Sequence, residues 1–283
     1  MKSSSKAIKG EVKIGRFIIP YRLYENEGEH IVCLNGVQQS MAMWQSFISR
    51  FSSQYRIVVF DFPNQGKGRI FSGSPCVTLD EQVDILSGVL KATRVSRELT
   101  LCSASWGGVV AVAFASRYPQ AAKRLMLASL SSRANKNMME TIKKAFEINM
   151  ENRQEMADTL INSFGGNLPE VIRQKIINQF FSMSEENLRT FYEHGLVVMS
   201  TKEISSVVNL KNIKAKTTLI MGQKDTIIDL EDIKCLASQI PNCTIRTIEN
   251  VGHFLHLERK EVLDIYQEIL SEQSKLSVKN FTL

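Results

Sequence analysis

No stretch of this chain is apolar for the 18 or so residues that a membrane-spanning helix needs. The longest apolar run, Val109 to Ala115, has the length of a core segment, so the chain is not expected to cross a bilayer. Residues 1–16 are basic but hold no apolar stretch or cleavage-like site of the kind that marks a secretory leader. A cytoplasmic location is therefore expected. The cysteines number five, at 33, 76, 102, 235 and 243, an odd count at scattered spacings with no C-x-x-C pair. Neither a disulfide framework nor a zinc site follows, and they read as small core hydrophobes. Six prolines and 15 glycines are too few for a collagen-like or low-complexity chain. Gly66-Lys67-Gly68 lacks the length and flanks of a phosphate-cradling loop. No metal-ligand cluster and no dinucleotide fingerprint appear, so no metal, no bound cofactor and no nucleic-acid partner are expected.

What is present is an ordinary globular composition. Of 283 residues, 43% are apolar and 23% charged, enough for one large domain with an insertion. The net charge is +6, with six Lys or Arg against one Glu in residues 1–24. Such modest basicity suits a solvated surface and is compatible with an acidic partner. Residues 12–25 alternate at period two around Gly15 and Pro20, the pattern of an edge hairpin. From Ile31 onwards, short β-branched runs alternate with longer amphipathic stretches, ending in a helix from Leu257 to about Ser271. This rhythm predicts βαβ units, hence an α/β fold with a mostly parallel sheet and helices on both faces. It is interrupted between about Leu130 and Val208, where only helical patterns occur, such as 138–150, 153–164 and 169–181. We divide the chain into a core of residues 1–129 and 209–275, an inserted helical cap of residues 130–208, and a flexible tail of residues 276–283. The Met and Phe residues of the cap read as helix packing rather than ligand lining.

The strongest local signal is Leu99-Thr-Leu-Cys-Ser-Ala-Ser-Trp-Gly-Gly, an apolar strand that runs into a helical pattern through Ser103-Ala104-Ser105-Trp106-Gly107. It is similar to the G-x-S-x-G nucleophile elbow with Ser103 in place of the first glycine. Small residues are needed two positions either side of the nucleophile because strand and helix approach closely there. Taken alone, Ser105 reads equally as a helix N-cap. Chain order adds two partners. Asp225 follows the strand beginning at Thr217, and His253 follows the strand 244–249, so that Ser, Asp and His appear in the order of an α/β-hydrolase triad. An alcohol is a weak nucleophile and needs a base near neutral pKa, and the base needs a carboxylate to fix its tautomer. Asp229 is a rival acid that reads as a helix cap, and His256 a rival base within the following helix. His30 and His194 precede a strand and fall in the cap. Ile31-Val-Cys-Leu-Asn-Gly-Val-Gln ends a strand at Asn35-Gly36, where the backbone N–H of Val37, with that of Trp106, would serve an oxyanion. The Trp106 side chain is either a core anchor or a wall of the acyl pocket. Lys67 and Arg69 are basic residues near the expected mouth.

The blocks Val59-Phe-Asp-Phe-Pro-Asn-Gln-Gly-Lys-Gly-Arg, Ser103-Ala-Ser-Trp-Gly-Gly and Gly252-His-Phe-Leu-His-Leu-Glu-Arg-Lys resemble the α/β-hydrolase-fold acyltransferases that make the lipid precursor of rhamnolipids. They resemble equally the related 3-hydroxyacyl carrier-protein transacylases. The Ser at the first elbow position is the most specific shared feature, and the cap is not matched. The resemblance implies an acyl-enzyme on Ser105, formed from a (3-hydroxy)acyl thioester of acyl carrier protein or CoA and intercepted by an alcohol or thiol. A carboxylic ester or thioester hydrolase uses the same triad, and a non-catalytic binding protein uses the same fold.

Overall fold

Successive side chains of a strand point to opposite faces, and here that alternation separates two apolar layers around one sheet. The computed structural model describes residues 6–95, 99–149 and 151–272, so that Met150 and the expected tail 276–283 lie outside the described residues. Nine strands form the sheet: β1 (Ala7–Ile14), β2 (Phe17–Tyr24), β3 (His30–Leu34), β4 (Arg56–Phe60), β5 (Arg69–Ile70), β6 (Leu99–Ala104), β7 (Ala122–Ala128), β8 (Lys216–Gly222) and β9 (Cys243–Ile248). Their order is β1-β2-β4-β3-β6-β7-β8-β9, with β5 beside β2. The five pairings from β4 across to β9 are parallel, and those made by β2 are antiparallel. The expected hairpin around Gly15 is present but begins at Ala7 rather than Val12. Along the edge strand β1 most side chains are half-buried or exposed, so pairing with β2 defines it rather than an apolar period.

Nine helices are described: α1 (Gln45–Phe51), α2 (Leu79–Ala92), α3 (Trp106–Arg117), α4 (Lys136–Glu147), α5 (Arg153–Phe164), α6 (Glu170–Phe181), α7 (Glu185–Ser200), α8 (Leu230–Gln239) and α9 (Val262–Ser271). Helix α2 starts where Thr78 and Glu81 exchange hydrogen bonds in a capping box. Val32, Leu34 and Leu101 belong to the layer packed on α2, α3 and α8, which contribute Leu86, Val110 and Leu236. Ile31, Cys33 and Cys102, one position out of phase, belong to the layer packed on α1 and α9, which contribute Phe47 and Tyr266. Cys33 and Cys102 face each other in register and behave as the expected core hydrophobes, whereas Cys235 is exposed and Cys76 and Cys243 are only half-buried. All five are free thiols.

Helices α4 to α7 are inserted between β7 and β8 and carry an apolar cluster of their own that includes Met156, Ile161, Phe180 and Leu188. Helix α7, which no single pattern marked in the sequence, is capped by Ser184 and has Glu185 and Glu186 in its first turn. The final helix begins at Val262, not at Leu257. Leu255 has a φ of 40°, incompatible with helix, and a short 3-10 turn spans Leu255–Leu257. That turn drives His256 into the core, where it stacks on Trp44 with ring centroids 5.3 Å apart and a ring nitrogen, Nε2, lies 3.2 Å from the Met43 carbonyl. Among the described residues, no helix is long and apolar enough to cross a membrane.

Burial pushes the His256 imidazole down to about 4, against the smaller upward pull of the Met43 carbonyl. The unfolded chain binds this proton near the ordinary value of about 6.5. Its contribution to stability is therefore complete above that pH and is lost as the pH falls towards 4. Urea unfolding from pH 7 to pH 4 should show His256→Phe losing less stability than the wild type over that interval, by up to roughly 3 kcal/mol.

Candidate active site

The parallel strands all present their carboxyl ends to one rim, where ligands of open α/β sheets bind. At the end of β6 the chain turns abruptly into α3 through Ser105, whose φ of 48° and ψ of −122° are strained for a non-glycine residue. The turn is held by the Ser105 N–H, which donates to the Ala128 carbonyl at 2.8 Å, and by the Gly108 N–H, which donates to the Ser105 carbonyl at 2.8 Å. A β-carbon on Gly107 would stand 2.6 Å from the carbonyl oxygens of Leu34 and Asn35, so only glycine lets α3 start this close to β3. Ser103 is wholly buried and its hydroxyl has no partner. At this first elbow position the hydroxyl is tolerated rather than used. The Ser105 side chain makes no capping hydrogen bond, which removes the N-cap reading.

Two strands away, Asp225 and His253 meet. Nδ1 of His253 lies 2.7 Å from Oδ2 of Asp225, and the other carboxylate oxygen accepts the Ile227 N–H at 3.0 Å. The Asp225 carboxylate is completely buried and the imidazole nearly so. Their loops are laced together: the Lys224 N–H donates to Val251 O and the Gln223 N–H to Ile248 O, both at 2.8 Å. A β-carbon on Gly222 would sit 2.3 Å from the carbonyls of Val251 and Gly252, so this glycine permits the approach.

His253 is clamped further by groups outside the sequence expectations. The Glu258 carboxylate accepts the N–H of Gly252 at 2.6 Å and of Phe254 at 2.9 Å, one on each side of the histidine. The Ser129 hydroxyl donates to the His253 carbonyl at 2.6 Å. Phe164 of α5 and Phe254 stand edge-on to the imidazole, both with centroids 5.7 Å away. Glu258 was legible only as part of the block beginning at Gly252. Its role depends on a turn that folds it back, which residue spacing does not reveal.

Val37 lies in the loop after β3. Asn35 anchors that loop, its amide donating to Phe60 O at 2.9 Å and its oxygen accepting the Trp44 indole N–H at 2.8 Å. Trp106 opens α3, so its N–H has no partner within the helix. Its indole is an anchor rather than a pocket wall: Nε1 donates to Gln82 at 2.9 Å, and His194 of α7 packs edge-on with centroids 4.4 Å apart.

Ser105, His253 and Val37 all line one cavity of about 600 Å³ between the sheet rim and the inserted helices. Its other walls are mostly apolar, among them Ile142, Phe146, Leu160, Ile176 and Phe180. Against the expectation of helix packing alone, Met138, Phe146, Phe164, Phe180 and Phe191 line it, while Met156 and Met183 are packed inside the helical cluster as expected. The rival residues have other employment. Asp229 accepts a hydrogen bond from Asn135 at 3.0 Å at the start of α8, His256 is in the core, and His30 opens β3. His194, set aside in the sequence, lines the cavity. Burial lowers it to about 4, and its Nε2 is buried without a hydrogen-bond partner. Lys67 and Arg69 are exposed and are not among the lining residues; Arg69 lies on β5 and pairs with Glu11 at 3.3 Å. The cation in the cavity wall is Lys175 of α6.

Glu258→Gln leaves one of the two flanking N–H groups facing an amide donor, an unpaired buried group that costs about 1–3 kcal/mol. Thermal unfolding of this variant should show a lowered midpoint with the fold retained.

Comparison with known proteins agrees with this architecture. A family model for the alpha/beta hydrolase fold matches residues 29–260. A monoacylglycerol lipase of Homo sapiens is 23% identical over 258 residues, covering 86% of this chain and 75% of that protein. An (R)-3-hydroxydecanoyl-ACP:CoA transacylase of Pseudomonas putida is 19% identical over 242 residues, covering 85% of this chain and 81% of that protein. The crystal structure of an enol-lactonase from Burkholderia xenovorans superposes with a TM-score of 0.79 at 18% identity, covering 93% of this chain and 100% of the other. With strand order, inserted helices and matched segment all in accord, the chain belongs to the α/β-hydrolase fold family.

Proposed function

We propose that this α/β-hydrolase-superfamily enzyme transfers acyl groups through a covalent intermediate on Ser105. The observation that carries the reading is the buried 2.7 Å contact of His253 with Asp225 beside an apolar cavity onto which Ser105 also opens. Asp225 accepts the Nδ1 proton, which leaves Nε2 of His253 as the free base. That nitrogen takes the hydroxyl proton as Ser105 attacks the carbonyl carbon of an acyl thioester. The developing oxyanion is received by the N–H groups of Val37 and Trp106. Collapse breaks the C–S bond and expels the thiolate, which takes the proton from the imidazolium and leaves as the thiol, and an acyl-serine remains. An alcohol or thiol acceptor then attacks with His253 again as base.

The walls support a fatty acyl group. A cavity of about 600 Å³ lined by Ile, Leu and Phe fits a medium-length acyl chain. The transacylase relative and the elbow resemblance support a (3-hydroxy)acyl thioester of acyl carrier protein or CoA, and a cytoplasmic setting where such donors occur. In this proposal residues 130–208 act as a cap over the acyl chain, and residues 1–129 and 209–275 as the catalytic core. The lipase relative supports the competing outcome, in which water is the second nucleophile and the protein is an ester or thioester hydrolase. The triad serves both, and exclusion of water beneath the inserted helices decides between them.

Ser105→Ala should lower the consumption of decanoyl-CoA by about 10³-fold or more. Intact-mass analysis should show one phosphonate adduct on the wild type and none on the variant. Retention of wild-type turnover in Ser105→Ala removes the reading. Mass spectrometry of products formed with acceptor alcohols and thiols present separates the outcomes: acyl adducts of the acceptor indicate transfer, and free acid alone indicates hydrolysis.

A further inference from the structure

The loop after β3 is held by three glutamine amides from three parts of the chain. Oε1 of Gln39, within the loop, accepts the Gly36 N–H at 2.8 Å. Gln65, from the loop after β4, donates to the carbonyls of Gly36 at 3.0 Å and Gln39 at 3.1 Å once its amide is oriented to suit its neighbours. Gln179 comes from α6, in the insertion, and its Nε2 donates to the Gln38 carbonyl at 3.0 Å. The first two amides bond within the sheet domain. The third crosses from the inserted helices to the residue beside Val37.

The loop needs holding. Gln38 has a φ of 56°, in the left-handed region that a non-glycine side chain disfavours by about 1 kcal/mol or more. A hydrogen bond to its own carbonyl opposes relaxation to negative φ, a rotation that would swing the Val37 end of the loop. Helix α6 is also a wall of the acyl cavity, which Ile176, Ile177, Gln179 and Phe180 all line. A chain that packs against α6 therefore stabilises the helix position from which Gln179 reaches the loop.

We propose that Gln179 is a positioning residue that couples the seating of α6 over the acyl chain to the assembly of the oxyanion site at Val37. This rests on the reading of Ser105 as nucleophile.

The test uses the full chain with Gln179→Glu, which keeps the shape but loses the N–H donor, together with Gln179→Ala and Gln179→Lys, which keeps a donor. Gln179 is exposed, so none of these opens a core cavity. For Glu and Ala, kcat should fall roughly 10- to 100-fold on decanoyl-CoA and by a smaller factor on p-nitrophenyl acetate, whose two-carbon acyl group is too short to pack against α6. The KM for decanoyl-CoA should stay within about threefold. Affinity for a decyl trifluoromethyl ketone, whose adduct places an oxyanion at the site, should fall by the same factor as kcat, and Lys should recover most of it. A merely structural contact would leave the ketone affinity untouched. Wild-type kcat in Gln179→Glu, or a loss confined to KM, overturns the proposal. Absence of Ser105-dependent turnover in the wild type sinks the nucleophile reading along with it.

Discussion

The site depends on how near two adjacent parallel strands let their loops come. Strands β8 and β9 run in register from Thr217 opposite Cys243 to Gly222 opposite Ile248, so both chains leave the sheet at the same height. Gly222 has no β-carbon to hold Val251 and Gly252 away. The loops close on each other through backbone bonds, and the Asp225 carboxylate reaches the His253 ring at 2.7 Å. Out of water such a contact is worth more than at the surface. The second carboxylate oxygen is satisfied by the Ile227 N–H, so the buried charge leaves no oxygen unmet.

Around that contact the protein uses hydrogen bonds to the backbone more than side-chain packing. Glu258, Ser129 and Gln39 each bind main-chain groups of the loops that carry His253 or Val37, and Asn35 ties the latter loop to the Phe60 carbonyl at the end of β4. Asp61, in the block after β4, works in the same way, accepting the N–H groups of Met41 and Lys67 while burial raises its carboxyl above the usual range. Loops at a sheet rim have few apolar neighbours, and buried polar side chains give them fixed geometry where packing cannot.

The inserted helices answer a different need. Their apolar cluster touches Phe254 and Leu257, in the same turn that carries His253, so roof and site share packing. Asn64 bonds Thr190 of α7 at 2.8 Å in a buried contact, and Asn135 bonds the Thr226 carbonyl at 3.1 Å beside Asp225. These bonds fix the roof close to both ends of the site. An apolar cavity beneath it strengthens every polar contact at its floor by keeping water away.

Local pattern alone determined a good deal. The short apolar runs and the helical stretches between them specified a parallel α/β sheet, because strands buried on both faces are written as continuous apolar runs, and Ser105, Asp225 and His253 were each visible just past a strand end. What sequence could not decide was anything that depends on chains distant in sequence lying side by side. The start of α9 shifted because Leu255 turns left-handed to bury His256 against Trp44. Arg69 was drawn to the sheet edge by Glu11, and His194 entered the cavity because α7 folds across Trp106. Glu258 and Gln179 acquired partners only when a turn and a roof brought them to backbone groups otherwise out of reach. Side-chain alternation is encoded within a few residues, whereas the position of a loop is a sum of contacts from many segments, and only the folded chain performs that sum.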